Sequence, residues 1–206
     1  MPTRLIYELI LNLSEAGDYD TAAALFHHRF FAREEGGTNV RQVWIEVQLQ
    51  RALALAKGGR CGEALVTVEH LPVRVPDLAF TRDGLQPILW LARTNYLVGE
   101  VYGSCGEAAK AQSRFELAAT RSNPDQVVWA YRSARKLPGF DQRQWQARLE
   151  TALSRNFSQT SWGFYNRALI NDALGHAADA EGDFSKALLL PDGLLAYHLT
   201  RLALGP

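Results

Sequence analysis

Gly103-Ser104-Cys105-Gly106 has the small-residue surroundings in which a serine or cysteine can stand exposed at a helix start. There the helix dipole lowers a thiol's pKa and favours nucleophilic chemistry. No histidine is placed by sequence to act as its base, and Gly58-Gly59-Arg60-Cys61-Gly62 repeats nearly the same frame upstream, which points to a structural turn. The five histidines, His27, His28, His70, His176 and His198, contain no pair at i, i+3 or i+4, and adjacent His27 and His28 point to different sides of a helix. A helical metal site needs that spacing, so no metal site is predicted. Glu34-Glu35 lies in a glycine-containing connection, where neighbouring carboxylates are ordinarily solvated. Neither GxxxxGK[ST] nor a strand-borne GxGxxG is present to cradle phosphates. The expectation is a chain without catalytic residues, metal or cofactor, and not an enzyme.

Charge is uneven along the chain. Between Arg121 and Arg155 lie the basic residues Arg121, Arg132, Arg135, Lys136, Arg143, Arg148 and Arg155 against Asp125, Asp141 and Glu150, interleaved with Trp129, Tyr131 and Trp145. Nucleic-acid surfaces combine such features. An excess of four charges is small, however, and an arginine-rich solvated helix face accounts for it, so no nucleic-acid partner is expected.

These residues sit in a chain of 206 with 22 basic and 22 acidic groups, 47% hydrophobic and 21% charged, the balance of an ordinary globular domain. Its 28 alanines and 29 leucines favour helix over sheet. Cys61 and Cys105 are too few for a disulfide framework and lack zinc spacing, which suggests a reducing compartment. The N-terminal MPTRLIYELILNL reads as an amphipathic helix interrupted by Glu8 and Asn12, not as a signal. No window approaches the ~18 apolar residues of a membrane span. A cytoplasmic protein without a membrane partner is expected.

Aligned on short turns, the segments 16–26, 58–68, 104–115 and 174–184 each carry a glycine (Gly17, Gly59, Gly106, Gly175) followed five residues later by an alanine (Ala22, Ala64, Ala111, Ala180). Four residues beyond each alanine stands an aromatic or apolar partner: Phe26, Val68, Phe115 or Phe184. This is the signature of a helix hairpin. Glycine ends one helix, alanine lets the next approach closely, and the larger residue fills the space behind it. The periodicity predicts eleven helices, over 3–15, 18–31, 39–57, 60–71, 84–103, 107–121, 124–136, 140–155, 160–174, 177–190 and 193–204, with one long connection at 72–83. Asn39, Asp83, Asn123 and Asp192 are the expected helix starts, with Pro124 in a first turn.

The pattern resembles the tetratricopeptide repeats. The segment 92–125 places Val98-Gly99, Tyr102, Gly106, Ala111, Phe115 and Ala118 on the family's motif, and 161–194 places Phe164, Gly175, Ala180, Phe184 and Ala187. The resemblance covers nearly the whole chain and implies an all-α fold. Residues 1–206 would then form one domain, a right-handed α-α superhelix of about five hairpins (3–31, 39–71, 84–121, 124–155, 160–190) with a capping helix at 193–204. The stretches 32–44 and 78–87 are also similar to connections in the helical repeat region of larger bacterial proteins with an upstream β-rich domain. That likeness implies a cut-out, the non-catalytic arm of a carbohydrate-related enzyme.

In the repeat family the first helix of each unit lines a concave groove. The resemblance implies a stripe of Tyr7, Tyr96, Trp129 and Tyr165 there, flanked by Arg4, Glu46, Arg93, Trp162 and Asn166. Aromatic rings beside guanidinium and amide groups suit an extended peptide of a partner protein. The same rings could simply pack between neighbouring helices. The apolar end helices Leu5–Leu13 and Leu194–Leu204 also invite self-association, since a repeat stack must cap or pair its ends.

Overall fold

A computed structural model describes the chain except residues 1–2, 32–33, 36–37, 84, 191 and 206, and describes backbone alone at residues 3–4, 34–35, 38 and 82–83. The order is α1 (Thr3–Glu15), α2 (Tyr19–Ala24), β1 (Glu34–Glu35), β2 (Thr38–Asn39), α3 (Val40–Lys57), α4 (Cys61–His70), α5 (Gln86–Leu89), α6 (Ala92–Ser104), α7 (Ala108–Ala119), α8 (Val127–Ala134), α9 (Gln142–Leu153), α10 (Ser161–Leu174), α11 (Ala177–Leu189) and α12 (Leu194–Leu204). The fold is all-α. Its two-residue strands pair antiparallel in the connection before α3, and a short 3-10 turn spans Ala79–Asp83.

The recurring turn is built the same way four times. Gly17, Gly59, Gly106 and Gly175 take φ of 82°, 75°, 80° and 80°, a left-handed conformation that costs glycine little. After each glycine the next N–H reaches back across the turn: Asp18 to the carbonyl of Leu13, Arg60 to Leu55, Glu107 to Tyr102 and His176 to Asn171, at 2.8–2.9 Å. That bond satisfies a carbonyl left over at the helix end and fixes the exit direction of the chain. Ala22, Ala64, Ala111 and Ala180 are buried, as are Phe26, Val68, Phe115 and Phe184. Between α6 and α7 the approach is close at Gly99, where a Cβ would stand 2.6 Å from Phe115 Cε1.

Several boundaries differ from expectation, among them the helix starts expected at Asp83 and Asn123, where α5 and α8 have Leu85 and Gln126 as their N-caps and Pro124 precedes α8. The helix predicted over 84–103 breaks at Leu91, which is extended (ψ 144°), into α5 and α6. Side chains satisfy the broken ladder: Thr94 donates to the Ile88 carbonyl, Asn95 donates to the Leu89 carbonyl, and Gln126 Oε1 accepts from the Ala92 N–H. The helix predicted from residue 18 to 31 ends at Ala24, and His28 takes a positive φ of 56°. Asn39 caps α3 as expected, accepting from the Arg41 N–H at 3.0 Å. Asp192 does not cap α12; its carboxylate accepts the Ser161 N–H at 3.0 Å, at the start of α10.

Besides the contacts of α1 with α2, α3 with α4, α6 with α7, α8 with α9 and α10 with α11, a second set of contacts runs between the first helices of these pairs. Along the chain α1 packs on α3, α3 on α6, α6 on α8, α8 on α10 and α10 on α12; α12 then packs on α1. The six helices form a closed cycle. The two apolar end helices thus cover each other within the chain, although Leu5, Leu9, Leu202 and Leu204 keep substantial exposure. The clasp is polar: His198, almost fully buried, gives its Nδ1–H to Glu15, and Arg201 Nη2 stands 3.2 Å from the same carboxylate. One apolar core extends from Ile6 to Leu199.

Cys61, at the start of α4, and Cys105, in the turn after α6, are joined in a disulfide with their Cα atoms 5.3 Å apart. The cysteine count therefore gives no support to a reducing compartment. The pair escaped sequence reasoning because the bond joins equivalent turns of successive hairpins, a proximity visible only once the hairpins stack. Among the described residues, no helix is long and apolar enough to cross a membrane.

Two expected outcomes follow from these links. The disulfide closes a loop of 44 residues, for which chain entropy gives about 4 kcal/mol. The Cys61→Ser/Cys105→Ser variant should lose up to about that much in urea unfolding against the oxidised protein. Burial lowers the His198 pKa below its ordinary value, while Glu15 and Glu8 oppose the shift and Arg201 adds to it. The unfolded chain then binds the proton more readily, so the contribution is complete above about pH 6.5 and is lost as pH falls toward the folded value. In denaturation series at several pH values, His198→Gln should show a flatter acid-side loss of stability than the wild type.

Candidate functional site

Five of the six helices in the closed cycle line one cavity of about 330 Å³. Helix α3 contributes Glu46 and Leu49, α6 contributes Arg93, α8 Trp129, α10 Trp162, Tyr165 and Asn166, and α12 Leu195 and Leu199. A second cavity of about 450 Å³, lined in part by Tyr96, Arg132, Asp172 and Leu202, shares Arg93, Trp129, Tyr165 and Leu199 with the first. Those four side chains form the wall between the two.

Arg93 is the centre of that wall. Its two Nη groups bind the Glu46 carboxylate in a fork, with Nη2 2.7 Å from Oε1, and Gln50 donates to the same oxygen at 2.7 Å. The Glu46 side chain is 6% exposed and that of Arg93 18%. Burial works against the charge on Arg93, and the neighbouring Glu46 and Tyr165 outweigh it, so its pKa is raised. Tyr165 is itself held above the ordinary phenol range by burial, partly offset by Arg93 and Arg132. The Arg93 guanidinium lies 5.2 Å from the Trp129 ring centre and that of Arg132 4.7 Å, so two cations share one indole. Arg93 Nε is buried with no hydrogen-bond partner among the described residues.

Rings extend this arrangement in both directions. Tyr96 sits 5.6 Å from Trp129 and 6.0 Å from Phe115, which carries contact outward to α7. Trp162 meets Tyr165 edge-on at 5.9 Å, and Tyr165 approaches Phe184 of α11 at 6.5 Å. The side chains act both as core and as lining: Trp129 and Tyr165 are buried, whereas Trp162 and Asn166 are half-buried.

Six residues singled out in the sequence, Glu46, Arg93, Trp129, Trp162, Tyr165 and Asn166, meet at the first cavity. Tyr96 faces the second. Tyr7 belongs to neither; it is buried in an aromatic cluster, 5.3 Å from Phe31, which in turn contacts Phe26 and Phe80. The Arg4 side chain lies outside the described residues. Gln42, Asp125, Leu195 and Leu199 also line the first cavity and were not identified from sequence. For the two leucines the signal was present in the apolar face of the last helix, but it was assigned to an exposed end.

The cavity offers hydrogen bonding rather than reactive groups. The side chains of Gln42, Asn166 and Asp125 make no hydrogen bond or ion pair with another described residue, and that of Gln126 uses only its Oε1, on the Ala92 N–H. The Glu46 carboxylate is fully engaged by Arg93 and Gln50. Among the described residues, no group of three or more His, Cys, Asp or Glu is placed to hold a metal ion.

No protein-family model, no curated protein and no solved structure matches this chain.

Removing one member of a buried ion pair strands the other. Glu46→Ala should cost about 3–5 kcal/mol in urea denaturation, whereas replacing the pair together, Glu46→Met with Arg93→Leu, should cost much less.

Proposed function

We propose that the chain is a non-catalytic interaction module, a tetratricopeptide-like array of five hairpins and a capping helix, that takes a short extended segment of a partner protein into the cavity at Trp162, Tyr165 and Asn166. The observation that carries this reading is the combination in one cavity of an aromatic wall with amide groups left unpaired inside the protein. A peptide presents alternating N–H and C=O groups. Gln42 and Asn166 can pair with either, Gln126 can donate its amide N–H groups, and the half-buried Trp162 ring gives area at low entropic cost. A volume of about 330 Å³ suits a few residues rather than a folded surface.

Arg93 has a positioning role in this reading. Its charge is spent on Glu46, so it holds the wall in place and is not offered to a ligand carboxylate. The carboxylate available to a ligand is Asp125, at the exposed side of the site, which favours a segment with a positive or neutral side chain at that end.

The test is capture of partners from the native lysate on wild-type protein and on a Trp162→Ala/Asn166→Ala variant with an unchanged helical circular dichroism spectrum. Loss of two anchors at a binding centre predicts a fall in retention of at least about tenfold. Equal retention by a folded variant would remove the reading.

A further inference from the structure

The basic excess between residues 121 and 155 is not used by the central cavity, and the structure sorts its members. Lys136 pairs with Glu100 at 2.8 Å and Arg132 approaches Asp172 at 3.8 Å. Arg121 and Arg135 lie against the rings of Trp90 and Tyr131. Arg143, Arg148 and Arg155 remain, and none of the three has an ion pair or a side-chain hydrogen-bond acceptor among the described residues. Arg148 and Arg155 line a separate cleft of about 370 Å³ between α9 and the chain entering α8, and Arg143 does not.

The lining of that cleft has a definite chemistry. Gln144, Arg148 and Thr151 recur at i, i+4 and i+7 on one face of α9, Arg155 follows just past its C-terminal end, and Ser122 lines the cleft from the chain before α8. No carboxylate lines it. Glu150 is two residues from Arg148, on another side of the helix, where Gln146 donates to it, and Asp141 is occupied in capping α9. Arg148 is held by the Trp145 ring, 4.3 Å from the guanidinium, a contact that orients the fork and leaves its N–H groups unspent. The Thr151 hydroxyl donates to the Ala147 carbonyl, so the donors on offer are the two guanidiniums, the Gln144 amide and the Ser122 hydroxyl.

We propose that this cleft binds a phosphate group, as inorganic phosphate or as a small phosphate monoester, between the forks of Arg148 and Arg155. Planar donors with no competing carboxylate match a tetrahedral dianion. With one arginine on α9 and the other just past its end, both lining one cleft of about 370 Å³, the site favours a single terminal phosphate over a run of phosphodiesters. The site is independent of the peptide cavity, and neither arginine lines that cavity.

Titration of the folded chain with inorganic phosphate at constant ionic strength, followed by amide NMR shifts, tests the assignment. Saturable shifts are expected at Ser122 and Thr151. Arg148→Gln/Arg155→Gln should weaken them at least about tenfold, Arg155→Gln alone should weaken them less, and Arg143→Gln, also on α9 but outside the cleft, should change affinity less than about twofold. Phenyl phosphate binding more tightly than inorganic phosphate would assign the site to organic monoesters, and equal or weaker binding would assign it to the free ion. Shifts that do not saturate, or arginine variants that bind as the wild type does, would overturn the proposal. So would an oligothymidylate that binds more tightly than both probes and is weakened equally by Arg143→Gln.

Discussion

Arg93 carries a charge that cannot be discharged, at the level where α3, α6, α8, α10 and α12 converge, and that constraint orders the middle of the molecule. A guanidinium so placed must be neutralised by a partner of matching shape. Glu46 supplies it from the neighbouring helix, and a two-point fork fixes α3 against α6 in both height and rotation. The remaining face of the cation is covered by Trp129 and Tyr165, which ties α8 and α10 to the same point. Leu199 completes the layer from α12. A second pair, Arg167 on α10 with the buried Asp183 on α11, repeats the device within a hairpin at 2.5–2.6 Å, with Asn171 donating to the same carboxylate.

The hairpins themselves obey local rules, and those rules were legible. Glycine at a left-handed turn, alanine five residues on and a large residue four beyond that are short-range facts, and each governs the geometry of two adjacent helices only. Aromatic positions on the first helices were legible for the same reason: Trp129 and Tyr165 share a register within their hairpins, so they reach the same inner level. Tyr7 has that register too, yet it packs with Phe31 instead. The connection before α3 brings Phe31 against it, Phe80 from the connection after α4 backs Phe31, and sequence periodicity has nothing to say about connections.

What was not legible depends on the sum of many small rotations. Whether a stack of helix pairs stays open or meets its own beginning is decided by the angle added at each step, and single residues carry little of that information. Contact between Glu15 and His198 joins residues 183 apart, and the disulfide joins residues 44 apart. The bond of Asp192 to the start of α10 belongs to the same class: its sequence neighbourhood predicts a cap for the next helix, and packing delivers it to the previous one. The break at Leu91 is tertiary as well, since it is sustained by Gln126 from another hairpin.

Closure changes what the inner faces can do. An open superhelix leaves its first-helix residues along a groove whose length grows with the number of repeats, whereas a closed cycle turns them toward one axis. Side chains that would have been spaced along a peptide instead meet each other, which is why Arg93, Trp129 and Tyr165 contact one another and divide the interior into two cavities. Recognition in such a shape depends on depth and polarity at one point, and the groups that matter are those at the edge of the packed layer. Trp162 and Asn166 occupy that edge: both are half-buried, and Trp162 rests edge-on against Tyr165. The ion pair that stabilises the wall therefore also limits the site, because every residue beneath it is committed to packing.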